Sequence, residues 1–219
     1  MKKLLLIFPL GLCITATQAQ GQSPNHSTHR SQKWFVGIQA GASFYYVKET
    51  FGHAPIRYGG KTGFTAGVVS SATIGSKFSF MPSLNFTQKG GTYRDGFKLT
   101  LNYIELPLNF VYHTNGSSGI FFFGAGPDLA FGVGGTEKFD GQETDIHFGT
   151  GDDEYLKPFE FSASILAGYK LRNGLFFAAN YNPGISNIAT GNAGVSKFHN
   201  HGSVFRIGYL FNDTEKTLQ

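Results

Sequence analysis

Apolar side chains occupy every second position in long stretches of this chain between Trp34 and Phe211, and a turn signal separates each stretch from the next. A period of two is the repeat of a β-strand, whose successive side chains point to opposite faces. In the first stretch, one face carries Trp34, Val36, Ile38, Ala40, Ala42, Phe44 and Tyr46. The opposite face is small, polar or aromatic, so each strand meets a different environment on its two sides. The pattern predicts an all-β fold.

We predict eight strands. Their expected bounds are 34–46, 62–72, 77–88, 99–112, 119–132, 158–171, 175–187 and 203–211. The connections alternate in length, with long ones after the odd strands and short turns such as Asn173-Gly174 after the even ones. Long extracellular loops and short periplasmic turns are typical of bacterial outer-membrane barrels. The sequence therefore predicts an eight-stranded antiparallel transmembrane up-and-down β-barrel with both termini in the periplasm.

The start of the chain has the three parts of a secretory signal peptide, namely a basic beginning, a short apolar core and small exit residues. We expect cleavage after Ala19, which makes residues 1–19 the signal peptide. Residues 20–33 then form a flexible polar leader, 34–211 the barrel and 212–219 a periplasmic tail. A retained membrane anchor, or a lipoprotein processed at Cys13, are the alternatives.

Composition excludes several classes of site and partner. Cys13 is the one cysteine, so the mature chain has no disulfide and no cysteine-based metal or redox site. Removing Lys2 and Lys3 lowers the 18 Lys and Arg residues to 16, against 14 Asp and Glu, and a net charge of +2 is too small to indicate a nucleic-acid partner. The apolar core of the signal is shorter than the ~20 residues that a membrane helix needs. A chain of this kind spans a membrane only as a closed barrel.

Several segments resemble the PorT-type outer-membrane β-barrel family. They are Trp34 to Ala42, Met81 to Gly91, Asn102 to Leu108, Phe123 to Pro127, and Asn173 to Phe177 with Tyr181 and Gly184 to Asn187. The resemblance implies an eight-stranded barrel, and the namesake of the family is linked to the type IX secretion system. The chain departs from the family pattern at Asn85, where that strand more often carries Glu.

Ionisable residues fall on inward positions of the predicted strands. They are Glu105, Asp128, Glu160, Lys170 and Arg206. Eight strands leave an interior just wide enough for side chains to fill it. An unpaired buried charge costs several kcal/mol, so we expect these residues to form a salt-bridged lumen network that plugs the barrel. A proton or ion relay is the alternative interpretation, and Arg206 and Lys170 are equally good partners for Glu105.

Other residues suggest chemistry less strongly. Ser203, with His199 and His201 just before it, comes near to the Ser–His set that membrane-embedded lipases and acyltransferases need. His53, His147, His199 and His201 lie in predicted loops, where they could meet at a metal. Seven acidic residues lie in the predicted loop 133–157 and could bind Ca²⁺. Chance surface histidines and a solvated acidic loop explain these patterns more simply. We therefore expect no catalytic, cofactor-binding or metal site.

The last predicted strand ends with Gly208, Tyr209 and Phe211, which resemble the C-terminal signal that barrel assembly machinery reads. The expected partners are thus outer-membrane lipid, that machinery, and secretion-system or envelope proteins. The sequence predicts a non-enzymatic outer-membrane barrel with a plugged lumen and an envelope-structural or interaction role, including a link to protein secretion. A transporter of small solutes and a membrane-embedded lipid-modifying enzyme are the alternatives.

Overall fold

The computed structural model describes residues 33–51, 54–93, 96–114, 116–149, 151, 156–191 and 195–213. The strands are β1 Trp34–Phe51, β2 Ala54–Arg57, β3 Gly59–Ile74, β4 Phe78–Thr92, β5 Lys98–His113, β6 Gly119–Phe139, β7 Gln142–Ile146, β8 Phe159–Leu171, β9 Leu175–Pro183 and β10 Val195–Leu210. Among the described residues, no helix has the length and apolar character needed to cross a bilayer.

Eight of these strands form a closed antiparallel ring. Its order is β1, β3, β4, β5, β6, β8, β9, β10, and β10 returns to pair with β1 from Gly37↔Leu210 to Tyr46↔His201 and beyond. The two short strands lie outside the ring, because β2 pairs with β1 and β7 pairs with β6. The predicted all-β up-and-down architecture is confirmed. We call the end with the short turns the turn end, and the end with the long connections the loop end.

The predicted faces of the strands are also confirmed. On β5, Leu106 and Phe110 are exposed, whereas Tyr103 and Glu105 are fully buried. Large apolar side chains stay exposed around the outside of the ring, and Trp34 and Phe110 are 60% and 61% exposed. A continuous apolar surface of this kind is unfavourable in water. The outer wall is therefore a surface for lipid, and the buried face is the barrel lumen.

Several predicted strand bounds are wrong, and the largest differences lie at the loop end. Strand β1 continues to Phe51, and β10 begins at Val195 rather than at residue 203. The predicted loop 133–157 is in part a hairpin, since β6 continues to Phe139 and pairs with β7. Strand β9 ends at Pro183 instead of residue 187. Beyond the apolar wall the outward side chains are polar, so the apolar alternation disappears while the backbone pairing continues.

The lumen is filled in three layers. At the turn end lies an apolar layer of Val69, Met81, Val111, Phe122, Leu166, Phe176 and Leu210. At the loop end lies another, of Val47, Leu99, Leu101, Tyr103, Ala130, Leu156, Ile188, Ala189 and Phe198. Buried polar and charged side chains occupy the space between these two layers.

Two lumen glycines make room for aromatic rings of this filling. A Cβ atom on Gly202 would lie 2.4 Å from the ring of Tyr45, and one on Gly208 would lie 2.2 Å from the ring of Phe176. Distances this short cannot be accommodated without moving the ring. The glycine of the proposed assembly signal therefore also has a packing role.

Closure of the ring depends on the last residues of β10. Tyr209 and Leu210 pair with β1, and the Phe211 amide donates a hydrogen bond to the Val36 carbonyl at 2.8 Å. Deleting residues 209–219 removes these pairs and leaves the first residues of β1 unpaired in lipid. We expect this deletion to abolish folding, whereas deleting residues 214–219 leaves it intact. Heat-modifiable mobility on detergent gels, measured on membranes from expressing cells, is the readout.

A substituted full-length chain separates strand pairing from the proposed signal. The variant Tyr209→Ala with Phe211→Ala keeps the backbone pairs, and we expect its assembly to be slower. Normal assembly of this variant would assign the effect of the deletion to pairing alone. A folded, surface-exposed barrel from the 209–219 deletion would contradict the assignment of β10 as the closing strand.

Candidate functional site in the barrel lumen

Lys89 lies at the centre of the buried polar layer. Its Nζ atom is 2.9 Å from Glu105 Oε1 and 2.9 Å from Glu160 Oε1. All three side chains are almost completely buried. Strand β4 lies next to β5, which carries Glu105, but three strands away from β8, which carries Glu160. The lysine therefore reaches across the lumen and joins opposite parts of the wall.

Aromatic rings complete the surroundings of the Lys89 ammonium group. Nζ lies 4.6 Å from the ring centroid of Tyr103 and 5.2 Å from that of Tyr45. Both distances lie in the range of favourable cation–π contacts. The cation thus has two carboxylate partners and two ring faces in place of water.

Glu105 connects Lys89 to a second cation. Its Oε2 atom accepts a hydrogen bond from Thr87 Oγ1 at 2.5 Å and lies 4.0 Å from Arg206 Nη2. Arg206 donates from Nη1 to Asn180 Oδ1 at 2.9 Å. The network therefore extends from β4 and β5 to β9 and β10.

Asp128 has polar partners but no cation. Its Oδ2 atom accepts hydrogen bonds from Asn182 Nδ2 at 2.7 Å and from Ser162 Oγ at 3.2 Å. Its Oδ1 atom has no hydrogen-bond partner, and no Lys or Arg nitrogen of the described residues lies within 4.0 Å of the carboxylate. The buried layer thus holds three carboxylates and two cations.

The structure places four of the five predicted lumen residues in this layer, namely Glu105, Asp128, Glu160 and Arg206. Lys170 faces inward as predicted, since it pairs with Phe176 on β9, but its predicted membership of this network is wrong. Lys170 lies at the turn end, where it forms an ion pair with Asp213, a residue of the predicted periplasmic tail. Asp213, three residues beyond the end of β10, lies close enough to supply this partner, which no alternation pattern reveals.

Lys89 is the member of this network that the sequence analysis missed. It precedes Gly90-Gly91, which suggested a loop beginning at residue 89, but β4 continues to Thr92. The alternation of Met81, Ser83, Asn85 and Thr87 on the inward face, extended by one more step, reaches Lys89. A basic residue in register with an inward polar face is the signal that could have identified it.

The apolar layers isolate this polar layer from both ends of the barrel. Beside Arg206 the lumen holds a cavity of about 20 Å³, lined also by Gln39, Ser83, Asn109 and Asn180. That volume accommodates about one water molecule. The arrangement is suited to holding the strands together, and the side chains that the structure describes leave no continuous aqueous path through the lumen.

A second polar contact lies at the loop end, beyond the part of the strands that faces lipid. Tyr93 donates a hydrogen bond from Oη to Glu49 Oε1 at 2.7 Å, and its ring lies 3.7 Å from that of Tyr58 between centroids. Burial, with a contribution from Glu49, raises the pKa of Tyr58 to about 12. The same causes raise the pKa of Tyr93. Both hydroxyl groups therefore remain protonated and able to donate at neutral pH.

The structure places the remaining candidate residues apart from the lumen. His199 and His201 have ring centroids 6.3 Å apart on β10, and His147 follows β7, which pairs with β6 on the opposite side of the ring. Among the described residues, no three His, Cys, Asp or Glu side chains are grouped to hold a metal ion. His53 and the acidic residues 152–154 lie outside the described residues, and Asp140, Glu143 and Asp145 are exposed on the β6–β7 hairpin.

Comparison with known proteins gives a family match and several structural likenesses. A family model described as outer membrane protein beta-barrel domain matches residues 18–190. The structure of Neisserial surface protein A is 12% identical, covers 80% of this chain and 96% of that chain, and has a TM-score of 0.48. Ail, the attachment invasion locus protein of Yersinia pestis, in complex with the heparin analogue sucrose octasulfate, is 13% identical, with 82% and 99% coverage and a TM-score of 0.44. No curated protein matches the chain.

The position of Lys89 between two buried carboxylates leads to a stability prediction. Lys89→Met should lower the free energy of unfolding by about 3–5 kcal/mol, because it leaves two buried carboxylates without their cation. Glu160→Gln alone should also destabilise the barrel. The double variant should cost less than the sum of the two, since each change removes the charge that the other leaves unpaired. Urea unfolding of the folded protein in lipid vesicles measures all three values.

Lys170→Met serves as the matched control, because this lysine pairs at the turn end, where its side chain is 12% exposed. Lys170→Met should lower the free energy of unfolding by much less than Lys89→Met does. Equal costs at the two lysines, or strict additivity of Lys89→Met and Glu160→Gln, would contradict the central position of Lys89.

Proposed function

The chain belongs to the outer membrane protein beta-barrel domain family and is a β-barrel of the bacterial outer membrane, and from that premise we propose that it is a non-enzymatic scaffold. In this proposal the filled lumen fixes the shape of the barrel, and the projecting strands and loops act as an envelope-structural or interaction surface. Both chain termini lie in the periplasm, and the loop end faces the exterior.

The filling of the lumen is the observation that carries this proposal. Two apolar layers enclose a polar layer in which Lys89 forms ion pairs with both Glu105 and Glu160. A solute would have to displace this buried ion pairing, and burying or unpairing a charge in such surroundings costs several kcal/mol. The filled interior supports a scaffold over the alternative of a small-solute transporter.

The surface at the loop end is built for contact outside the bilayer. A bilayer crossing needs ~9–11 residues of tilted strand. Strand β1 has 18 residues and β6 has 21, and β2 and β7 extend these two strands as hairpins. The projecting β-structure places exposed charges such as Lys138 and Glu143 away from the lipid-facing wall.

Two of the segments that resemble the PorT-type family carry residues of the lumen network. We include membership of the PorT-type family in the proposal on this ground. The segment from Met81 to Gly91 carries Lys89, and the segment from Asn102 to Leu108 carries Glu105. The two segments pair along β4 and β5. A link to protein secretion follows from the same resemblance, with a secretion-system or envelope protein as the partner.

Conductance measurements test the scaffold against the transporter. The full mature protein, reconstituted in planar bilayers, should give no single-channel steps, whereas a 16-stranded porin under the same conditions conducts through its open lumen. Heat-modifiable mobility of the reconstituted sample verifies that the barrel is folded. Reproducible conductance of folded wild-type protein would overturn the proposal in favour of a transporter.

A further inference from the structure

Basic side chains cluster on the outer wall at the loop end, where β2, β1 and β10 lie side by side. This basic patch consists of Lys48, Arg57, Lys197, His199 and His201. Lys48 lies opposite His199 on β10 and opposite Arg57 on β2. The patch begins just beyond Phe44, the last large aliphatic or phenylalanine side chain on the outward face of β1, and therefore lies at the edge of the lipid-facing wall.

Tyr46 contacts two members of the basic patch at the side of the patch that is nearer to the lipid-facing wall. The Arg57 guanidinium carbon lies 4.0 Å from the centroid of the Tyr46 ring, and the ring of His201 stacks on Tyr46 at 5.4 Å. Aromatic residues at this level are typical of the membrane–water interface. The tyrosine thus holds two basic side chains at the depth of lipid headgroups.

The charges of the basic patch are not neutralised by neighbouring acids. Glu49 is the one acidic residue in β1, β2, β9 and β10, and it is buried and accepts a hydrogen bond from Tyr93. Among the described residues, no ion pair within 4.0 Å includes a member of the patch. The Nδ1 atoms of His199 and His201 are buried without hydrogen-bond partners. The patch therefore presents the positive charges of Lys48, Arg57 and Lys197 at the membrane edge.

An apolar concavity of about 720 Å³ lies on the same wall, closer to the middle of the membrane. Its lining combines small side chains with larger ones; they include Ala40, Ala42, Ala167, Ala179, Phe177 and Phe205. The wall elsewhere carries protruding aromatic and aliphatic residues. A depression of this kind accommodates hydrocarbon chains.

The basic patch and the concavity are connected along the strands. On β1 the step from Ala42 to Tyr46 is four residues, about 13 Å at the rise of a β-strand. Ser203 lies between Phe205 and His201 on the outward face of β10, and Tyr181 follows Ala179 on the outward face of β9. One molecule with a charged head and apolar chains can reach both.

We propose that this face binds one anionic, phosphate-bearing membrane lipid, with its headgroup on the basic patch and its acyl chains in the concavity. Basic clusters next to a membrane attract anionic headgroups. The concavity adds a requirement for acyl chains that a free phosphate or a soluble polyanion does not meet. Which leaflet supplies the lipid depends on the proposed orientation of the loop end, whereas the binding itself does not depend on that orientation.

Native mass spectrometry of the folded full chain in detergent tests the proposal. The probes are dioleoyl phosphatidylglycerol, dioleoyl phosphatidylcholine, which has the same chains and no net charge, and glycerol phosphate as the headgroup alone. Phosphatidylglycerol should be retained most strongly and glycerol phosphate not at all. Equal retention of the two lipids, or retention of glycerol phosphate, would overturn the proposal.

Two sets of variants localise the site. Lys48→Gln with Arg57→Gln should weaken phosphatidylglycerol binding by roughly fivefold for each charge removed and leave phosphatidylcholine unchanged. Ala42→Phe with Ala179→Phe fills the concavity and should weaken both lipids. Lys138→Gln, an exposed charge on the opposite side of the loop end, is the matched control and should change neither. Equal weakening by Lys138→Gln and by the patch variant would refute a specific site.

Discussion

A bilayer offers no hydrogen-bond partner to a free strand edge, and the rest of this structure follows from that constraint. The edge of β1 is satisfied by β10, which closes the ring at eight strands. A ring of eight strands is narrow, so side chains fill its interior. Charged residues on inward positions in the middle of the ring, such as Lys89, Glu105 and Glu160, are therefore buried and require partners inside the lumen.

Lys89 meets this requirement for two carboxylates at once. The lysine links β4 to β5 and to β8 across the lumen, and Arg206 adds a more distant contact between β10 and Glu105. The remaining carboxylate, Asp128, relies on Asn182 and Ser162. Apolar layers on both sides exclude water, which makes loss of any one partner costly. The barrel thus has a fixed interior, and the surfaces open to binding lie on the outside.

The outside is asymmetric in charge. The basic patch lies over β1, β2 and β10, whereas Asp140, Glu143 and Asp145 project on the β6–β7 hairpin, and β6 is four strands from β1 in the ring. The opposite charges therefore lie on opposite sides of the loop end. A lipid on the basic side and a protein on the hairpin side would not compete for the same surface.

Strand faces could be predicted from the sequence because successive residues point alternately to lipid and to the lumen, as Leu106 and Glu105 illustrate. That signal ends where the strands leave the membrane, so the extension of β10 to Val195 and the β6–β7 hairpin were beyond its reach. Ion-pair partners depend on positions across the ring rather than on the local pattern. Arg206 and Glu105 were expected together, but the pairing of Lys170 with Asp213 and the central place of Lys89 required the closed structure.

The most direct test of this account measures distances within the ion pairs. Solid-state NMR of the barrel in lipid, with ¹⁵N at lysine Nζ and ¹³C at glutamate side-chain carboxyls, detects nitrogen–carbon pairs a few ångströms apart. Lys89 Nζ lies 2.9 Å from one oxygen of Glu105 and from one oxygen of Glu160. The account predicts dipolar contacts from Lys89 to two carboxylate carbons, one lost in Glu160→Gln and the other in Glu105→Gln. A Lys89 ammonium group that contacts neither carbon and exchanges freely with water would contradict it.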